Sequence, residues 1–399
     1  MGKTLPFQNK KSRKTFAEYF AGIGLMRVGL EKEAWTIRLA NDIDPQKEQM
    51  YRANFPDADA HFKSGDIDSL LPSEIPEVTL ATASFPCNDL SLAGSREGLE
   101  GKNSSAFWGF IRALERSKTR LPSLVLLENV TGFLTSHGGR DFEDAMFALN
   151  DLGYAVDPFI LDAAWFVPQS RKRLFVVGVK TNESDTDGLY ELLQETPIRP
   201  NALVQFILTH PDIRWRIRKL PNPPLSRRKL TSILEKLPND SDCWWPKDRA
   251  EYLLGQMSPR HREMADKMIA ARNYSYGTVF RRVRNGVSMA ELRTDGIAGC
   301  LRTPRGGSGR QILFKAGHGK YFVRLLTPRE CARLMGADDF IIDVPLNQAL
   351  FGFGDAVCVP VIRWIAKNYL NRVWNKLDAT EKCSPIKKDI QPYRRSARA

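Results

Sequence analysis

Along the first half of the chain, short apolar runs alternate with amphipathic stretches. Thr15-Phe16-Ala17-Glu18-Tyr19-Phe20 reads as a strand that runs into the glycine turn Ala21-Gly22-Ile23-Gly24 and then a helix from Leu25 to about Lys32. Thr36–Ala40 is a second strand, ending at Asn41-Asp42-Ile43-Asp44, and Gly65-Asp66-Ile67 marks a third strand end. Val78–Thr82 reads as a buried strand closed by Ala83-Ser84-Phe85-Pro86-Cys87-Asn88, because Pro86 cannot extend a central ladder. A polar loop, Asn88–Gly101, is long for such a connection and is a candidate lid. A helix follows over 105–118, then a mostly apolar strand, Ser123–Leu127, ending in Glu128-Asn129-Val130. The helix Phe142–Leu152 stops at Gly153. Strands Ala155–Leu161 and Arg173–Val179 flank the basic turn Val167-Pro168-Gln169-Ser170-Arg171-Lys172-Arg173. Alternating strands and helices predict an α/β fold with a Rossmann-like sheet.

Beyond residue 200 the periodicity weakens. Pro221-Asn222-Pro223-Pro224 is a loop, Leu230–Leu237 a short helix and Arg260–Ala271 a better one. Thr327 and Pro328 start a helix over 327–335, and 356–374 reads as an amphipathic helix. Residues 1–14 and the basic tail 376–399 read as loose arms.

Composition adds a boundary and a partner. A chain of 399 residues with 42% hydrophobic content holds one very large domain or two. The division expected here is 1–190, completed by a helical return over 345–375, and 191–344. The net charge is +13; residues 201–320 hold 23 Lys and Arg against 10 Asp and Glu, and the remainder holds 36 of each. So complete a segregation points to a nucleic-acid-binding region. Arg281, Arg282, Arg284, Arg302, Arg305 and Arg310 are its candidate nucleic-acid contacts, with Gly306-Gly307-Ser308-Gly309 among them. No apolar run reaches the roughly 18 residues of a membrane helix. Met1–Pro6 lacks the apolar segment of a signal peptide, so a cytoplasmic protein is expected, without membrane. The six cysteines lie far apart, which argues against a disulfide framework or a metal site.

Open α/β sheets place ligands at the carboxyl ends of their strands. Asp42 lies about 20 residues past the glycine turn, where a carboxylate accepts from ribose hydroxyls, and Ile43 beside it suits an adenine face. Asp44 before Pro45 also suits a helix cap. The third glycine of a dinucleotide fingerprint is replaced by Arg27, which favours a nucleoside without a pyrophosphate over NAD. Cys87 at a strand end is a candidate nucleophile, although a lone cysteine is more often a small apolar core residue. Glu128, after an apolar run, is poorly solvated, and burial favours its protonated form.

Taken in order, these pieces resemble the DNA (cytosine-5)-methyltransferases, particularly the prokaryotic restriction-modification methylases. The resemblance rests on Phe20–Gly24, Asn41–Asp44, Gly65–Ile67, Ser84–Cys87, Glu128–Val130, Gln169–Arg173, the stretch Arg324-Leu325-Leu326-Thr327-Pro328-Arg329-Glu330-Cys331-Ala332-Arg333-Leu334-Met335-Gly336, and Phe353-Gly354-Asp355-Ala356-Val357. It departs where Leu25 replaces a glycine and where Gly-Asp-Ala-Val replaces the usual Gly-Asn-Ser-Val; the family's Arg-Gly is not obvious around 103–106.

The resemblance implies a catalytic domain that binds S-adenosylmethionine, without metal, and a smaller target-recognition domain. Cys87 would attack carbon 6 of a cytosine flipped out of duplex DNA, and Glu128 would protonate ring nitrogen 3. Pro86, Asn129, Arg171 and Arg173 would complete the catalytic set. Phe20, Gly22, Ile23, Gly24, Asp42, Ile43, Asp66, Ile67, Asp355 and Val357 would hold the cofactor. A monomer acting beside a restriction endonuclease of the same specificity is the expected setting. A transfer-RNA cytosine methyltransferase is the alternative; its Cys-Phe-Thr element is absent from the basic block.

Overall fold

The computed structural model describes residues 14–86, 105–117, 121–181, 193–226, 228–284, 286–303 and 309–383. Cys87, the loop Asn88–Gly101, Arg305 and both terminal arms, apart from Lys14 and 376–383, lie outside the described residues.

The first half builds one seven-stranded sheet. Its strands are β1 (Thr15–Tyr19), β2 (Thr36–Asp42), β3 (Phe62–Ser64), β4 (Leu80–Ala83), β5 (Leu124–Val130), β6 (Tyr154–Asp162) and β7 (Lys172–Lys180), in the order β3-β2-β1-β4-β5-β7-β6. Neighbours from β3 to β5 are parallel; β7 runs antiparallel to β5 and to β6. Side chains alternate across a strand, so Leu80, Leu124 and Leu126 enter one apolar layer and Ala81, Val125 and Leu127 the other. Both faces are covered, which is why these strands read as continuous apolar runs.

Helices α1 (Leu25–Glu31), α2 (Pro45–Asn54), α3 (Ser105–Arg116) and α4 (Arg140–Asp151) connect the strands close to the expected positions. The chain returns at its end as α9 (Leu346–Asp355), α10 (Val359–Ile365) and α11 (Asn371–Cys383), and Ile362, Ile365 and Tyr369 complete the first layer. The helical stretch Leu346–Ala379 is long and apolar enough to cross a membrane by length and composition, contrary to expectation, but 67% of its most apolar window is buried in the protein.

Residues 193–217 pack with the large sheet. Helix α5 (Asn201–Thr209) buries Leu203, Val204, Phe206 and Ile207 there, and Trp215 bridges to Val156 on β6. The expected division at 190/191 therefore falls inside the packing of the first unit. The smaller unit is a four-stranded antiparallel sheet, β8 (Ser275–Arg284), β9 (Val287–Arg293), β10 (Ile312–Gly317) and β11 (Lys320–Leu325), in the order β11-β10-β8-β9. Helices α6 (Lys247–Gly255) and α7 (Pro259–Ala270) cover one face through Leu253, Leu254 and Ala265.

The short helix expected over Leu230–Leu237 is only a 3-10 turn, Leu230–Ser232. Leu230 and Ile233 anchor the segment by burial, while helix α8 (Pro328–Leu334) satisfies its backbone: Arg333 donates to the Ile233 carbonyl at 2.9 Å and Glu330 accepts from the Glu235 amide at 2.9 Å. Those groups have no need of helical partners.

Candidate active site

The carboxyl ends of β1, β2, β4 and β5 converge on one edge of the sheet. After β1, Phe20 and Gly22 adopt φ of 57° and 55°, and Gly24 adopts 84°. A side chain at Gly24 would stand 2.4 Å from the Phe55 ring and 2.8 Å from Tyr51, so this turn tolerates no Cβ there. Helix α1 starts directly at buried Leu25, and the departure from the usual second glycine is accommodated in the core.

Asp42 ends β2 and grips this turn. Its Oδ2 accepts the Gly22 amide at 2.7 Å and its Oδ1 the Asp44 amide at 2.9 Å. A carboxylate has about four acceptor sites, so capacity for two ribose hydroxyls remains. Burial pushes the Asp42 carboxyl up, while Lys47 and the two amides oppose the rise. Ile43 next to it is 64% exposed, an apolar side chain held out at the turn. Asp44 caps α2, accepting from Gln46 and Lys47 amides, as its place before Pro45 predicts. Asp66 caps the turn Ile67–Ser69, and Ile67 is buried against Gly109 of α3.

At the neighbouring strand ends, Pro86 is the last described residue before Cys87. Asn129 is buried; its Nδ2 reaches the Phe85 carbonyl at 3.4 Å and its Oδ1 accepts the Val130 amide at 2.8 Å. The side chain thus ties the end of β5 to the segment that leads into Cys87. Glu128 is 5% exposed and pairs with Arg173 Nε at 3.0 Å. Burial pushes the Glu128 carboxyl above its ordinary value, opposed by Arg173 and then Arg171. Buried Ser84 Oγ lies near enough to favour the carboxylate without the alignment of a full hydrogen bond. A small cavity lies against Glu128, Arg171, Arg173, Phe175, Val357 and Cys358.

Arg171 serves differently from expectation. Its Nη1 donates to the Leu301 carbonyl at 2.9 Å, and its Nη2 to Gly354 and Ala356 carbonyls at 3.0 and 2.7 Å. These donors hold the return helix and the smaller unit to the sheet edge, which leaves Arg173 as the arginine paired with Glu128. Sequence reasoning also missed Cys300, whose sulfur lies 3.4 Å from Arg171 Nη1 and 3.9 Å from Arg173 Nη2. Burial would raise this thiol, but Arg171, Arg173 and Arg302 together pull it below its ordinary value. No motif marks Cys300; only the fold brings it to the arginines.

Asp355 meets Lys47 Nζ at 2.7 Å, and Thr303 Oγ1 donates to its other oxygen at 2.7 Å. Val357 is buried in the apolar layer below. Arg281, Arg282 and Arg284 lie toward the tip of the β8–β9 hairpin, where Glu291 pairs with Arg282 at 3.2 Å and Arg284 at 2.9 Å. Arg302 is exposed and Arg310 half-buried, both at the edges of the undescribed segment 304–308.

The family model for C-5 cytosine-specific DNA methylases matches residues 14–371. The type II methyltransferase M.DsaV of Dactylococcopsis salina is 28% identical, over 95% of this chain and 91% of its own. M.NgoBI of Neisseria gonorrhoeae, also a type II methyltransferase, is 30% identical over 86% of this chain and 89% of its own. The solved structure of the S. pombe Dnmt2 methyltransferase shares the fold, with a TM-score of 0.60 at 18% identity over 92% of this chain and 99% of that one.

Proposed function

The chain belongs to the C-5 cytosine-specific DNA methylases, and from that premise we propose that it methylates one cytosine of a specific duplex DNA site through a covalent Cys87 adduct. The observation that carries the reading is the pairing of a buried, upward-shifted Glu128 with Arg173 beside the strand that delivers Cys87. Carbon 5 of cytosine is a poor nucleophile. Addition of the Cys87 thiolate to carbon 6 would move ring electrons toward carbon 5, while Glu128 supplies a proton to ring nitrogen 3. S-adenosylmethionine supplies the methyl group to carbon 5. A base then takes the carbon 5 proton, the carbon 6–sulfur bond breaks to release the Cys87 thiolate, and ring nitrogen 3 returns its proton to Glu128, which restores the aromatic ring.

The cofactor reading fits the turn. Asp42 retains acceptor capacity for ribose, and exposed Ile43 suits an adenine face. The cytosine must leave the helix to be reached, at a cost of a few kcal/mol. The arginines of 201–320 would bear on DNA as part of the smaller, target-recognition unit built around β8–β11. Action as a cytoplasmic monomer, protecting DNA from an endonuclease of the same specificity, completes the proposal.

The test is trapping. Duplex DNA carrying 5-fluorocytosine at the target should become covalently attached to the protein, since fluorine replaces the proton that elimination removes. Cys87→Ser should lose the adduct and keep cofactor affinity within a few-fold. Turnover of ordinary DNA without trapping would overturn the mechanism. A preference for transfer RNA over duplex DNA would overturn the substrate.

A further inference from the structure

Asp355 stands where the family's last motif carries asparagine. An ionised aspartate accepts hydrogen bonds but cannot donate them. The structure gives it a cation from a residue in none of the motifs. Lys47 sits in the first turn of α2, three residues after the cap Asp44. Its chain passes over the glycine turn: Lys47 Cδ lies 3.9 Å from where a Cβ on Gly22 would stand. Its ammonium ends 2.7 Å from Asp355 Oδ2. Gly22 thus has the Asp42 carboxylate on its amide and the Lys47 chain over its α-carbon. The lysine side chain is 20% exposed and the aspartate 43%, so solvent reaches both charges. Despite partial burial, Asp355 and Asp42 hold Lys47 more firmly protonated than an ordinary lysine.

We propose that Lys47 and Asp355 form a charge pair that reads the amino-acid end of the cofactor, Lys47 taking its carboxylate and Asp355 its ammonium. The inference rests on the methyl-donor reading above. An α-amino acid carries adjacent opposite charges, and a lysine–aspartate pair beside the nucleoside site is complementary to them. The pair keeps both groups satisfied when no ligand is bound, and Thr303 fixes the aspartate through its second oxygen. The pair therefore also explains why asparagine is dispensable here: recognition by a charged couple replaces recognition by an amide.

Equilibrium titration without DNA tests this with three ligands. S-adenosylhomocysteine carries both charges, decarboxylated S-adenosylmethionine lacks the carboxylate, and 5'-methylthioadenosine lacks the whole amino-acid part. Lys47→Met should weaken S-adenosylhomocysteine roughly tenfold, the scale of one charge-assisted hydrogen bond, and leave the other two within about two-fold. Lys47→Arg should restore most of the loss. Asp355→Ala should weaken both ligands that keep the ammonium and spare methylthioadenosine. Equal weakening of all three ligands by Lys47→Met would make the lysine a structural latch and overturn the inference, as would no change in any. A wild-type protein that binds none of the three would overturn the cofactor reading itself.

Discussion

At the level of single residues, Glu128 and Arg173 make opposing demands on one proton. Glu128 must be protonated to donate to ring nitrogen 3. Burial raises its pKa above the ordinary carboxyl value, and the guanidinium of Arg173 holds it down. Activity that needs the protonated acid is full below the raised pKa and falls as pH rises through it. Removing Arg173 lifts the opposing influence, so Arg173→Gln should move the falling limb of the single-turnover rate to higher pH. A limb that stays in place or moves down would show that this pair does not govern the step. Glu128→Gln keeps a hydrogen-bond donor but cannot transfer a proton, and single-turnover rates should fall by roughly 10²–10⁴ with DNA affinity retained. The burial of Glu128 was legible in the chain, because an acid after five mostly apolar residues at a strand end has little water. The contacts of Arg171 were not. Its position in a basic turn looks like that of Arg173, and only the tertiary fold reveals that its donors meet backbone carbonyls.

Among the elements, legibility followed burial pattern. Strands covered on both faces, such as β4 and β5, read directly as apolar runs ended by Pro86 and Glu128. The hairpin β8–β9 did not, because its outer half alternates exposed arginines with exposed Val283 and Val287, and its pairing is between segments too polar to announce themselves. That hairpin also holds a neutralising charge that counting cannot locate. Glu291 pairs with both Arg282 and Arg284, so a phosphate must compete with a carboxylate for each. Exposed pairs of this kind are weak, worth about 0–1 kcal/mol, and phosphates can displace them. Glu291→Gln should therefore tighten binding to random duplex DNA and steepen its salt dependence. Arg282→Ala or Arg284→Ala should flatten the salt slope by about one unit each if that residue contacts a phosphate. Binding isotherms over a salt series decide it; a Glu291→Gln protein with unchanged affinity would place the hairpin away from the DNA backbone.

For the molecule as a whole, the two sheets are sewn together at the site rather than joined by a flexible tether. Gln169 donates to the Leu334 carbonyl at 2.8 Å and accepts the Leu301 amide at 3.0 Å. Gly354 approaches the Arg302–Thr303 backbone so closely that a Cβ would stand 2.7 Å from it. Arg171 closes the same seam with three bonds to carbonyls from two distant segments, Leu301 in one and Gly354 and Ala356 in the other. Such contacts, between residues 51 to 185 positions apart, carry no local signature in the sequence. They imply that Arg171 acts on stability before it acts on chemistry. Arg171→Met fills much of the same volume but leaves three carbonyls, two of them buried, without their donors, a loss on the order of 3 kcal/mol. The melting temperature should fall by several degrees. Arg171→Lys should not restore it, because a single ammonium cannot span acceptors that a planar guanidinium bridges. Thermal unfolding of the three proteins, read alongside their affinity for S-adenosylhomocysteine, distinguishes this from a direct catalytic role. A variant that melts like the wild type yet loses turnover would return Arg171 to the reacting groups.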